Sequence, residues 1–183
     1  MEIKEGVFSA INSFAAKGDV RYVLNGVMVD AGPDGVFLVG TDGHAIAVAR
    51  IDATPRPVRQ YIIAGEVADL IAKNKRKPIE FDIDAMRFDN INAIEIDGRY
   101  PDWRRVIQYK PSDAIAFFDP KFHARVDAAA RMIQRKRVAP TLICPGGNGV
   151  GYAQLDADGE VGAWVMPFRE SDLPTHPVWQ TLT

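Results

Sequence analysis

Thr41-Asp42-Gly43-His44 concentrates a hydroxyl, a carboxylate and an imidazole within four residues. On a strand, Asp42 and His44 would point the same way, as a general base and its orienting acid do. Such a pair works only where a nucleophile or a metal completes the geometry. The chain has three histidines (His44, His123, His176), one cysteine, and no His-Glu-x-x-His, Gly-x-Ser-x-Gly or cysteine cluster. No catalytic residue, cofactor or metal site is therefore expected. The other reading of the tetrapeptide is a turn whose polar groups shape the rim of a binding surface.

The flanking residues favour a turn. Val36 to Val39 is an apolar run, Ala45 to Val48 alternates small and branched residues, and Asp42-Gly43 supplies the positive-φ position of a short hairpin connection. Upstream, Val7, Ile11, Phe14 and Ala15 mark a helix over Glu5–Ala16, ended by Gly18-Asp19. A strand is predicted over Arg21–Val29, before the turn residues Ala31 to Gly35. After the linker Ala53 to Pro57, a strand over Tyr61–Ile63 leads into a second helix over Ala64–Lys73 and strands over Ile79–Asp84, Met86–Phe88 and Ile91–Ile96. Asp97 to Trp103 is turn-rich, and Asp113–Phe118 is apolar and extended. Asp119-Pro120 opens a third helix with a favoured cap and a first-turn proline, its inward stripe being Phe122, Val126, Ala129, Ala130 and Ile133. Strands over Thr141–Cys144, Val150–Leu155 and Val161–Phe168 complete a third helix-plus-strands unit, and the tail from Glu170 is irregular.

A chain of 183 residues suits one domain with part of a second, and its 47% hydrophobic content allows a sizeable core. Cys144 stands alone, so no intrachain disulfide can form. No apolar run approaches membrane-spanning length and the first residues lack the apolar core of a signal peptide, so a soluble intracellular protein is expected. The formal net charge of −2 conceals an asymmetry. Lys121 to Arg137 holds six basic residues and one acid, against an acidic remainder. Such a segment is either a solvated helix face or an electrostatic surface for a polyanion.

Asp19 to Gly26 through Thr41 to Val48, then Asp97 to Val106, and finally Val165-Met166-Pro167-Phe168-Arg169 carry a likeness to a known family. Together these stretches resemble the bacterial sliding clamp, the beta subunit of DNA polymerase III. The first two resemble the start and end of its middle domain, the third its C-terminal Met-Pro-Met-Arg. Ala45 stands where the family usually has arginine, and Trp164 where a smaller residue is usual.

The resemblance implies an α+β DNA-clamp fold, with helices on one face of antiparallel sheets and about one and a half clamp domains. Residues 1–110 would form a complete domain of two helix-plus-sheet halves, 111–170 a partial domain of one half, and 171–183 an irregular tail. It also implies a cytoplasmic, non-enzymatic processivity factor or scaffold that holds partner proteins on duplex DNA. One alternative is a peptide-binding clamp mimic that meets replication proteins without encircling DNA; another is an enzyme using Asp42 and His44. The implied DNA-facing residues are Arg21, Tyr22, Lys73, Lys75, Arg76, Lys77, Arg125, Arg131 and Arg135, touching phosphates without reading bases. The implied peptide pocket comprises Leu24, Thr41, Gly43, His44, Ile46, Pro101, Val106, Met166 and Phe168, and would capture polymerase or other clamp-binding peptides. No membrane partner is implied. Twelve halves close the family's ring and this chain supplies three, so the third would leave an apolar face for a second copy. A homodimer, extended to a tetrameric ring, follows as an expectation.

Overall fold

A computed structural model of the chain describes residues 1–74, 76–108, 110, 116–135, 143 and 149–168. Lys75, the first half of Asp113–Phe118 (residues 113–115), the Thr141–Cys144 strand except Ile143, and the tail from Glu170 lie outside the described residues. The larger sheet has six antiparallel strands in the order β5 (Arg59–Ile63), β2 (Val27–Gly32), β3 (Gly35–Thr41), β4 (Ala45–Asp52), β10 (Val161–Val165) and β9 (Gly151–Gln154). A four-stranded sheet runs β1 (Glu2–Ile3), β6 (Ile79–Asp82), β7 (Arg87–Phe88) and β8 (Ile91–Asn92). Helices α1 (Val7–Asn12), α2 (Gly65–Ala72) and α4 (Pro120–Gln134) share the main core with both sheets. This is the expected α+β arrangement, with helices on one face of antiparallel sheets.

The alternation in β4 explains how the large sheet is covered on both faces. Ala45, Ala47 and Ala49 join the core under the helices, while Ile46 and Val48 join a second core on the outer face. Ala47 pairs with Ala163 of β10, and Ala163 with Ala153 of β9, so a row of buried alanines crosses three strands beneath the helical layer. Small residues let helices approach closely. At Gly40 a Cβ would lie 2.3 Å from the Ile11 carbonyl oxygen of α1. The outer core is closed by the segment after β8. Tyr100 and Trp103 pack there with Met28, Val39 and Ile62, and the Trp103 indole donates to buried Asp30 at 2.7 Å. Arg104 also pairs with Asp30 and stacks on Trp103 at 4.3 Å.

Several expectations require correction. The segment Tyr22–Asn25 is a short 3-10 helix rather than the start of a strand, because the Asn25 side chain bonds the backbone N–H and carbonyl of Asp19 and coils the chain. Helix α1 ends at Asn12, short of Ala16, where the Ser13 hydroxyl turns back to the Ala10 carbonyl and the Ala16 N–H pairs instead with Leu24. The turn-rich connector contains helix α3, Trp103–Val106. The β8 pairing stops at Asn92, leaving Ile94 exposed, because the chain then turns to run beside β5. Asp119 caps α4 as its sequence suggests, accepting from the Lys121 N–H.

The third unit is not left over. Helix α4 packs beside α1, β10 pairs with the edge of β4 over five residue pairs, and Phe122, Val126, Ala129 and Ala130 are buried in the common core. The apolar face expected to await a second copy is covered within the chain. All six residues of α1, flanked by α2 and α4, are consequently buried. Ala163→Leu, at the centre of the alanine row, should overpack this junction and cost about 1–3 kcal/mol. A lower urea midpoint with an unchanged slope would be the signature.

Candidate functional site

The Thr41-to-Ala45 turn is bonded internally on nearly every polar group. The Thr41 hydroxyl donates to the Ala45 carbonyl at 2.8 Å and accepts from the Gly43 N–H at 3.0 Å. Asp42 Oδ1 accepts the N–H groups of His44 and Ala45, each at 2.9 Å. Asp42 Oδ2 takes the guanidinium of Arg125 at 2.6 Å. The carboxylate therefore caps a turn, and what it receives from His44 is a backbone proton rather than an imidazole contact. Gly43 has φ +88°, and a Cβ there would also meet the Arg21 guanidinium at 2.8 Å.

Around this turn the chain encloses a cavity of about 450 Å³. Leu24 enters from the 3-10 helix; Thr41, Gly43, His44 and Ile46 from the hairpin; Pro101 and Val106 from the connector; and Met166 from the end of β10. Pairing of Trp164 with Ile46 and of Val165 with Ala45, continued by the Met166 N–H to the His44 carbonyl at 2.9 Å, carries Met166 to the mouth. Leu24 and Ile46 are buried, whereas Val106 and Met166 are 40% and 52% exposed and form an apolar lip. Eight of the nine anticipated pocket residues thus meet in one space. Phe168 does not line it, because its N–H pairs with the Phe117 carbonyl and carries the chain away. Arg21, Ala45, Arg105, Val150, Trp164 and Val165 line it as well. Arg105 and Val150 carried no signal of their own in the sequence; Arg105 could have been found as the neighbour of Val106 in a connector already suspected of forming a wall.

No family model matches the chain. The beta sliding clamp of Caulobacter vibrioides strain NA1000 / CB15N is 27% identical over 174 residues, covering 78% of this chain and 45% of that relative. The chain thus spans about half the length of the curated relatives it matches. In fold it is similar to the DNA polymerase sliding clamp of Pseudomonas aeruginosa, with a TM-score of 0.63, 13% identity and coverage of 92% of this chain and 66% of the other. The DNA polymerase III beta subunit of Thermotoga maritima gives a TM-score of 0.60 at 16% identity, covering 92% and 65%. The chain is similar in sequence to the bacterial sliding clamp and shares its fold.

On this clamp-like fold the basic residues singled out from the sequence fall into two groups. Those of α4 are engaged. Arg125 binds Asp42, Arg131 binds Asp127 one turn away at 2.9 Å, and Arg135 pairs with Glu5. Arg21 lines the cavity and chelates Asp19, whose carboxyl this guanidinium and the Arg21 N–H hold down to about 2. Tyr22 is exposed beside it. Lys73, Arg76 and Lys77, at the end of α2, are exposed and enter no ion pair among the described residues. No helix among the described residues is long and apolar enough to cross a membrane.

Burial opposes the charge on Asp42, yet the Ala45 N–H, the Arg125 guanidinium and the His44 N–H outweigh it, and the carboxyl is held below its ordinary value of 3.8. A carboxyl whose pKa is lower folded than unfolded adds stability that is complete above the unfolded value and lost as pH falls through the folded one. Asp42→Asn should therefore be less stable than the wild type near neutral pH, with the gap closing below about pH 4. Urea midpoints of both proteins, measured from neutral to acid pH, test this sign.

Proposed function

We propose that this chain is a clamp-type scaffold, without catalytic chemistry, that captures short hydrophobic peptides of polymerases or other replication proteins and holds them on duplex DNA. The observation that carries the reading is the cavity itself. Eight residues chosen for one role, from four separated stretches, converge on a space with aliphatic walls and a polar rim on a clamp fold. Such a space suits one anchoring side chain of an extended peptide, with Thr41 and His44 at the edge. We further propose the division into a complete clamp-like domain, 1–110, and a partial one, 111–170. Self-association into a dimer, or a tetrameric ring, rests on the count of three units against the family's twelve, because the third unit's apolar face is already covered. Such a factor would act in the cytoplasm, through DNA backbone contacts.

One observation favours the alternative of a peptide-binding module that does not encircle DNA. Arg125, Arg131 and Arg135 are paired with acids, and α1 is buried along its whole length, so among the described residues the helical layer offers phosphates few unpaired cations besides those at the end of α2. Retention on circular duplex DNA that is lost on linearisation supports the ring. Its absence, with peptide binding intact, supports the module.

The pocket is tested by titrating the protein into a fluorescein-labelled clamp-binding peptide of a replicative polymerase. Met166→Ala removes one half of the lip and should weaken binding roughly 5- to 30-fold, equivalent to about 1–2 kcal/mol. Equal affinity for the variant, or no binding at millimolar protein, rejects the pocket.

A further inference from the structure

We propose that Arg125 is a positioning residue for the pocket rim rather than a phosphate contact: reaching out from α4, it clamps the Asp42 turn, so that peptide capture depends on α4 being docked beside α1. The inference rests on the peptide-pocket reading and goes beyond it. The Arg125 guanidinium crosses the rings of Phe14 and Phe122, at 5.6 and 5.7 Å, to reach Asp42 Oδ2. Both partners are largely withdrawn from water, with side-chain exposures of 29% for Arg125 and 18% for Asp42. An arginine held in this way has its charge spent inside the protein.

The consequence of the contact travels through a short set of hydrogen bonds. With Oδ2 anchored, Oδ1 stays aimed at the N–H groups of His44 and Ala45. The Ala45 carbonyl in turn receives the Thr41 hydroxyl and the Asp42 N–H, and the His44 carbonyl receives the Met166 N–H. Thr41, His44 and Met166 all line the cavity. Arg21 grips the same turn as well, donating to the Asp42 carbonyl at 3.1 Å, so two guanidiniums from different elements hold the turn. Removing Arg125 leaves a half-buried carboxylate without its cation, which draws Asp42 toward water and releases the two amides it holds. Arg131 supplies a control on the same helix, because its partner Asp127 lies one turn away and neither residue lines the cavity.

Amide exchange and peptide affinity read the two ends of this chain of contacts. In Arg125→Ala, the His44 and Ala45 amides should exchange at least ~10-fold faster while core amides of β3 keep their protection. Affinity for the fluorescein-labelled peptide should fall by ~10-fold or more. Arg125→Lys, which restores a single cationic donor, should recover part of both, and Arg131→Ala should change neither by more than ~2-fold. If Arg125→Ala does not fold, Arg125→Lys and Asp42→Asn carry the same readouts, and the double variant should be no worse than the more severe single one. Unchanged exchange at His44 and Ala45, or an equal loss in Arg131→Ala, overturns the proposal. Should the wild type fail to bind the peptide, the pocket reading falls by itself, and the exchange of the two amides still decides whether Arg125 positions the turn.

Discussion

The edge-to-edge pairing of β10 with β4 is the contact on which the other arrangements depend. A strand edge left unpaired exposes backbone donors and acceptors and invites association. Here the chain satisfies that edge itself, and the register does more than join two strands. It aligns Ala163 with Ala47 beneath the helices and Trp164 with Ile46 on the outer face, and it delivers Met166 to the His44 carbonyl. A slip of one residue would exchange these faces, placing an indole under the helices and an alanine at the cavity wall. The same pairing brings α4 alongside α1, which places Arg125 within reach of Asp42.

Charge on the described part of α4 is organised by pairing. The basic segment that stands out along the sequence is, for its described residues, largely matched by acids drawn from elsewhere: Asp42 from the hairpin, Glu5 from before α1, Asp127 from the helix itself. These pairs differ in character. Arg131 and Asp127 are solvated, and such a helical pair contributes only a few tenths of a kcal/mol. Arg125 and Asp42 are mostly shielded from water, where the loss of one partner is felt by the other. Asp30 is more buried still, and its two donors, Trp103 and Arg104, tie the connector to the outer face of the sheet, where Pro101 and Val106 form one wall of the cavity.

Much of this was legible in the amino-acid sequence because local rules act locally. The Asp-Gly pair announced the hairpin, Asp119-Pro120 announced the start of α4, and the alternation of Ala with Ile and Val announced a strand, since each depends on backbone preferences or periodicity within a few residues. Where a long-range partner competed with those preferences, sequence reading was less accurate. The 3-10 helix at Tyr22–Asn25 comes from Asn25 folding back on Asp19, and the early end of α1 from the pairing of Ala16 with Leu24. The apolar and polar residues of the cavity were chosen individually through a family likeness, and Phe168 was the one that did not join them.

The sequence by itself determined most of the element types and the α+β class, because these follow from side-chain chemistry and short-range spacing, and its likeness to the sliding clamp pointed to eight of the residues that surround the cavity. Only the tertiary structure decided that the third unit completes the sheet of the first, that α1 is enclosed by its neighbours, and that Arg125 belongs to the hairpin turn instead of to solvent. Those outcomes depend on which strand edge meets which and on where a long side chain ends. Residues 83 positions apart in the chain, as Asp42 and Arg125 are, become neighbours only through the packing of α4 and the register of β10.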